Sequence, residues 1–164
     1  MRKFCQLVLL LVVCVVPAFA QTPATLEVAG SSTRVDINDA MRRLPRHQVT
    51  VPANEHGSAG TYDGIYLRDL LSEAKVPAGN AIRGDMLAWT VTLEAGDGYR
   101  VVFALAEIDP AFRERVFLLA DMRDGKPLDA KQGPLRLIVP DESRPARWIR
   151  QVVRIVAGPA GTAK

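Results

Sequence analysis

The sequence predicts one α+β domain with more strand than helix, and three observations lead to this class. Apolar and polar residues alternate across the middle of the chain, as they do in half-buried strands. Two short segments instead place apolar residues three and four positions apart, as on one face of a helix. No internal repeat and no linker divides the 164 residues. We therefore expect a single domain with a mixed, strand-rich architecture and short helices.

The first twenty residues are predicted to be an export signal that precedes the fold. Arg2 and Lys3 give a positive start, an apolar stretch follows over 4–16, and Ala18-Phe19-Ala20 matches a small-x-small cleavage site. The apolar stretch is shorter than the roughly 20 residues of a membrane-spanning helix. We expect cleavage after Ala20, a periplasmic or secreted protein, and no stable membrane span after cleavage.

Both cysteines, Cys5 and Cys14, lie within this predicted signal. The mature chain therefore has no thiol for a disulfide, for a metal or for nucleophilic attack. Acylation at Cys14 is the alternative to cleavage after Ala20. However, Val13 occupies the position where a lipoprotein signal carries a small residue.

The charge of the mature chain is close to balanced. Removing Arg2 and Lys3 reduces the 21 basic residues to 19, against 18 acidic residues, which leaves a net charge of +1. A nucleic-acid-binding domain would show a strong basic excess on one face. This composition therefore excludes nucleic acid as the expected partner.

Two helices are predicted from apolar residues at positions i, i+3, i+4 and i+7. The first begins after Asp36, whose carboxylate suits an N-cap, and ends before Pro45, which cannot continue a helix. The second covers 67–74 and ends before Pro77-Ala78-Gly79. A further helical turn or loop is expected at 107–115.

Strands are predicted where apolar and polar residues alternate, or where a short apolar run lies between turn residues. The alternating run 87–94 leads through Ala95-Gly96-Asp97-Gly98 into 99–103, which predicts a hairpin. The other predicted strands cover 25–28, 33–35, 48–51, 117–120, 135–139 and 148–156. Segment 52–64 is predicted to be a polar loop. The domain is expected to span 21–157, with a flexible tail over 158–164.

Four segments, taken in order, resemble the molybdopterin-binding domain of sulfite-oxidase-like oxidoreductases. They are Asp63-Gly64-Ile65-Tyr66-Leu67-Arg68-Asp69-Leu70-Leu71, Ala95-Gly96-Asp97-Gly98-Tyr99, the stretch 118–128, and the run 133–150, which begins Gly133-Pro134-Leu135-Arg136. The resemblance covers about Thr25 to Val156. It implies the sulfite-oxidase-type fold, oxidoreductase activity, and molybdopterin as the cofactor.

The resemblance also implies two catalytic residues that this chain lacks. Catalytic members carry a cysteine that binds molybdenum, and the matching stretch 49–56 contains no thiol. Such members also tend to carry a histidine before Gly-Pro-Leu-Arg, where this chain has Gln132. We therefore expect a non-catalytic or degenerate member that binds a small anionic, pterin-like ligand or a periplasmic redox or signalling protein. The alternatives are an active oxidoreductase in which the pterin dithiolene alone holds molybdenum, and a pure protein-interaction domain.

Four arginines near the C-terminus form the first candidate site: Arg136, Arg144, Arg147 and Arg150, with Trp148 between them. Planar guanidinium groups suit the oxygens of phosphate and carboxylate, which they can bind through two parallel hydrogen bonds. We therefore assign these five residues to cofactor or anion binding. The alternative is a solvated strand edge with arginine stacked on Trp148.

Asn54 and His56 form the second candidate, because their loop lies where the resemblance places the active site. A histidine there could move a proton or orient a ligand. The alternative is an ordinary surface loop of turn-forming residues. His47 and His56 without a cysteine or an acidic cluster make a weak metal site, and no residue is assigned to a metal. No serine lies in a nucleophile-elbow context, so no catalytic residue is assigned either.

Overall fold

A computed structural model describes residues 23–53 and 59–161, which form ten strands and three α-helices. The strands are β1 (Thr25–Val28), β2 (Arg34–Asp36), β3 (His47–Val51), β4 (Gly60–Tyr66), β5 (Trp89–Ala95), β6 (Arg100–Ala104), β7 (Leu118–Arg123), β8 (Lys126–Pro127), β9 (Arg136–Ile138) and β10 (Val152–Pro159). The helices are α1 (Ile37–Arg43), α2 (Leu67–Glu73) and α3 (Leu105–Ile108). Short 3₁₀ turns lie at Gly79–Ala81, Gly84–Ala88 and Pro145–Arg147. The α+β class with more strand than helix is confirmed.

The strands form two five-stranded sheets. The first has the order β2-β1-β10-β5-β6, in which β1 and β10 pair in parallel and the other neighbours are antiparallel. The parallel pair brings the first described strand beside the last one. This non-local pairing closes the domain and places both ends of the described chain in one sheet.

The second sheet has β7 at its centre. On one side β7 pairs with β4, which pairs in turn with β3. On the other side β9 pairs with the first half of β7, and β8 pairs with the second half. The turn between β7 and β8 is Asp124-Gly125, where both residues have positive φ, as a tight two-residue hairpin requires.

Both main helices begin where their sequence patterns predicted. The carboxylate of Asp36 accepts a hydrogen bond from the Asp39 backbone N–H at 3.1 Å, which satisfies one free donor at the start of α1. The buried face of α2 consists of Leu67, Leu70 and Leu71, the residues that share the predicted helix face. No helix of the described ranges is both long and apolar enough to cross a membrane.

Buried side chains from both sheets and all three helices form one hydrophobic core. Leu26 and Leu93 contribute from the first sheet, Ile65 and Leu119 from the second, and all four are fully buried. Removing such side chains from water is the main force that holds the two sheets together.

Three expectations about the elements need correction. The predicted loop 52–64 contains the start of β4, because Gly60 and Gly64 belong to a central strand where β7 approaches closely. Leu87 does not begin the hairpin strand; it lies in a 3₁₀ turn with 51% of its surface exposed. The last strand starts at Val152, four residues later than predicted, and continues through Pro159, past the predicted start of the tail.

Candidate functional site

A cleft of about 680 Å³ opens where the two sheets meet. Tyr62 of β4, Arg123 of β7 and Arg136 of β9 line it from the second sheet. The segment 148–151, which leads into β10, and the tip of the β5–β6 hairpin line it from the first. Volumes of this size are typical of small-molecule sites.

Backbone hydrogen bonds join the two sheets at the floor of this cleft. The N–H of Leu137 donates to the carbonyl of Ile149 at 2.9 Å, and the N–H of Val152 donates to the carbonyl of Leu135 at 3.0 Å. The indole Nε1 of Trp148 donates to the buried carbonyl of Val139 at 2.8 Å. These bonds hold the segment 148–151 beside β9 in one fixed register.

One wall of the cleft is the loop between β8 and β9, which Asp129 organises. The Asp129 carboxylate accepts from the backbone N–H groups of Lys131 and Gln132, both at 2.9 Å. The Gln132 side-chain amide also donates to it at 3.3 Å. These bonds lower the pKa of Asp129 from its ordinary value, with the Gln132 side chain as the largest cause.

Arg136 is the central cation of the cleft. Its Nη1 donates to the side-chain oxygen of Gln132, while its Nε is buried and has no hydrogen-bond partner. Its Cζ lies 5.9 Å from the ring centroids of both Tyr62 and Trp148, within the range of cation–π attraction. Within residues 23–53 and 59–161, no carboxylate forms an ion pair with Arg136.

The surroundings of Arg136 disfavour its positive charge. Burial is the main cause that lowers the pKa of Arg136 below the ordinary arginine value. Tyr62 and Asp129 oppose this effect, whereas the positive charges of Arg150 and Arg123 add to it. An arginine nevertheless stays protonated in a protein, so the cleft holds a charge that an anion would stabilise.

The structure brings three of the seven candidate residues together. Arg136, Trp148 and Arg150 all line the cleft. Arg144 is exposed at the start of the 3₁₀ turn Pro145–Arg147 and does not belong to the cleft lining.

Arg147 does not belong to the cleft lining and binds two carboxylates instead. Its Nη1 donates to Glu142 at 3.0 Å and its Nη2 to Glu107 at 3.1 Å. Its guanidinium also lies 3.9 Å from the ring centroid of Phe103. Arg147 ends the 3₁₀ turn and Trp148 follows it, and the two side chains bind different partners. Asn54 and His56 lie outside the described residues.

Sequence reasoning did not assign the other lining residues to the site, among them Tyr62, Arg123, Asp129 and Gln132. Tyr62 and Arg123 come from strands that pair with each other, at Tyr62↔Arg123. Asp129 and Gln132 reach the cleft through a loop. The only available sequence signal was Gln132, which directly precedes the Gly-Pro-Leu-Arg run.

Comparison with protein families assigns this architecture. The family model described as "Oxidoreductase molybdopterin binding domain" matches residues 18–159, which include all ten strands. The chain belongs to the oxidoreductase molybdopterin-binding domain family. No curated protein matches the chain significantly.

The residues of the cleft fit the anionic pterin part of molybdopterin, but the matched stretch offers no thiolate for the molybdenum atom. Arg136 and Arg150, with the aromatic rings of Tyr62 and Trp148, suit an anionic group attached to a planar ring system. The whole stretch matched by the family model, 18–159, contains no cysteine. Protein thiolate therefore cannot bind molybdenum here.

Proposed function

We propose that the protein is an exported, non-catalytic member of the molybdopterin-binding domain family whose cleft binds a small anionic ligand. The observation that carries this proposal is Arg136, a half-buried cation with a buried, unbonded Nε and no carboxylate partner among the described residues. A buried charge without a partner is costly, and such groups concentrate at functional sites. An anion in the cleft would remove that cost.

The absence of a thiol in residues 21–164 supports the non-catalytic part of the proposal. Metal analysis of protein exported by a molybdenum-replete host tests it directly. We expect substoichiometric molybdenum. One molybdenum atom per chain would contradict the proposal and favour an active oxidoreductase in which the pterin alone holds the metal.

Ligand titrations test the anion site. Mature protein, residues 21–164, is titrated with phosphate, sulfate, carboxylates and pterin compounds at constant ionic strength, because salt screens exposed charges. We expect at least one of these anions to raise the unfolding temperature. Arg136→Gln should raise the Kd at least tenfold, which corresponds to about 1.4 kcal/mol.

Arg144→Gln is the matched control, because it removes the same charge from an exposed arginine outside the cleft lining. Its Kd should stay within about twofold of the wild-type value. Equal losses in both variants would indicate a general charge effect and would contradict a site centred on Arg136.

Export is tested by N-terminal sequencing of the protein from the periplasmic fraction. A mature chain that begins at Gln21 supports the predicted signal peptide of residues 1–20. An N-terminus that retains Arg2 and Lys3 in the cytoplasmic fraction would contradict export.

A further inference from the structure

Gln132 binds the central cation of the cleft through an uncharged side chain. Its side-chain oxygen accepts a hydrogen bond from Nη1 of Arg136, and its amide nitrogen donates to the Asp129 carboxylate at 3.3 Å. A primary amide donates only through its nitrogen and accepts only through its oxygen. The bond to Asp129 therefore fixes the orientation of the amide in which the oxygen faces Arg136.

The main chain of Gln132 is held independently of this side chain. Its backbone N–H donates to the Asp129 side chain at 2.9 Å, and its carbonyl accepts from the Gln151 N–H at 3.1 Å. Every residue type except proline can make both of these backbone bonds. A substitution at this position therefore changes the group that reaches Arg136 and leaves the path of the loop in place.

The bond from Gln132 determines which nitrogen of Arg136 stays open to the cleft. Nη1 is bonded to Gln132, and Nε is buried without a partner. Nη2 also has no hydrogen bond within residues 23–53 and 59–161, but unlike Nε it is not buried. Because Arg136 lines the cleft, Nη2 is the donor that an anion there can reach.

The side chain of Gln132 places no charge beside Arg136. A glutamate has nearly the same shape and would also accept from Nη1, but its carboxylate would pair with the guanidinium. Arg136 is half-buried, so water screens charges beside it less than at the surface. The neutral amide therefore leaves the positive charge of Arg136 available to an anion in the cleft.

We propose that Gln132 is the positioning residue of the anion site. Its oxygen holds Nη1 so that Nη2 faces the ligand, and its lack of charge leaves the positive charge of Arg136 to that ligand. This inference rests on the proposed anion-binding function and adds a residue that acts on the anion through Arg136.

Arginine side-chain NMR and anion titration measure the two parts of this role separately. Rotation about the Cζ–Nε bond exchanges the two Nη groups, so a held guanidinium gives two ¹⁵Nη signals and a freely rotating one gives a single averaged signal. Uniformly ¹⁵N-labelled mature protein, residues 21–164, is titrated with sodium phosphate, sodium sulfate or sodium acetate at constant ionic strength. In the wild type we expect two Nη signals for Arg136 and saturable binding of at least one of these anions.

Two substitutions separate holding from neutrality. Gln132→Leu removes the hydrogen bond without adding a charge, so the two Nη signals of Arg136 should merge and the Kd should rise about fivefold. Gln132→Glu retains an acceptor for Nη1 and adds a charge, so the two signals should remain while the Kd rises at least about tenfold. A role in loop structure alone would not produce this second combination.

Gln48→Leu and Gln48→Glu are the matched controls. The Gln48 amide also donates to an aspartate, Asp63, at 3.2 Å, but Gln48 is exposed and does not belong to the cleft lining. Both controls should retain two Nη signals for Arg136 and a Kd within about twofold of the wild-type value.

The outcomes distinguish the role of Gln132 from the anion site itself. Wild-type signals and a wild-type Kd in both Gln132 variants would overturn the positioning role and leave anion binding intact. If Gln132→Leu does not fold, the Kd of Gln132→Glu decides, because an unchanged Kd would overturn the role. A wild-type protein that binds none of the three anions saturably would overturn the proposed function and this role together.

Discussion

Glu142 lines the cleft and connects it to the segment 107–115. Neutralising Glu142 tests how much its hydrogen bonds stabilise this part of the fold. Its carboxylate accepts from Arg115 at 3.1 Å and from Arg147 at 3.0 Å. The side chains of Arg115 and Glu142 are only 8% and 17% exposed. Water therefore screens the bond between Arg115 and Glu142 far less than an ordinary surface ion pair, and it screens the bond from Arg147, whose side chain is 34% exposed, more strongly.

The expected loss of unfolding free energy in Glu142→Gln depends on the carboxylate partners that Arg115 and Arg147 retain. Arg115 retains Asp141 at 2.6 Å, and Arg147 retains Glu107 at 3.1 Å, so neither cation becomes isolated. The glutamine oxygen can still accept a neutral hydrogen bond. A charge-assisted bond exceeds a neutral one by roughly 1 kcal/mol, so two bonds imply a destabilisation of about 2 kcal/mol.

Urea unfolding followed by circular dichroism measures this difference, and thermal unfolding should show a fall of about 4–8 °C in Tm. Glu114→Gln is the matched control, because Glu114 is exposed on the same segment as Arg115. We expect it to change the free energy of unfolding by less than about 0.5 kcal/mol. If both variants lost the same stability, the hydrogen bonds of Glu142 to Arg115 and Arg147 would not stabilise the fold.

Three further predictions concern the scaffold. Gly64→Ala should cost about 3 kcal/mol or more in urea unfolding, because its Cβ would meet the Leu119 carbonyl oxygen and lie 2.6 Å from the Cα of Ala120. Gly96→Ala, whose Cβ would meet only a side-chain methyl at 3.7 Å, should cost less than about 1 kcal/mol; equal losses would refute the close contact. Asp36→Ala should cost about 1 kcal/mol through the lost N-cap, and no loss in the same assay would contradict capping. Arg115 holds the pKa of Asp141 below its ordinary value of 3.8, so the stabilisation it gives is present above that value and is lost as the pH falls through the folded-state pKa. The stability difference between wild type and Asp141→Asn should therefore be largest well above pH 3.8 and shrink as the pH falls below that value, and a constant difference would contradict the ion pair.

Local patterns were sufficient for most of the secondary structure. Asp36 caps α1, and Leu67, Leu70 and Leu71 form the buried face of α2, because capping and helical periodicity depend on residues three or four positions apart. The turn Asp124-Gly125 is also a local property. The prediction of a loop over 52–64 was wrong from Gly60 onward, because Gly60 and Gly64 lie in β4 against β7, a strand more than 50 residues away in sequence.

For the candidate site, too, residues close together in sequence were predicted, and contacts between distant residues were not. Sequence reasoning found Arg136, Trp148 and Arg150, since all three lie in one short run next to a buried strand. It also included Arg147, which binds Glu142 within the run and Glu107 40 residues earlier, and the second of these partners could not be inferred from the run itself.

The sequence by itself determined the strand-rich class, the family resemblance, the predicted export signal and the absence of a thiol after residue 20. These properties depend on composition, local spacing and the order of short motifs. Only the tertiary structure decided that Arg136 is half-buried and yet has no carboxylate partner within residues 23–53 and 59–161. That property depends on which side chains the pairing of β4, β7 and β9 brings together.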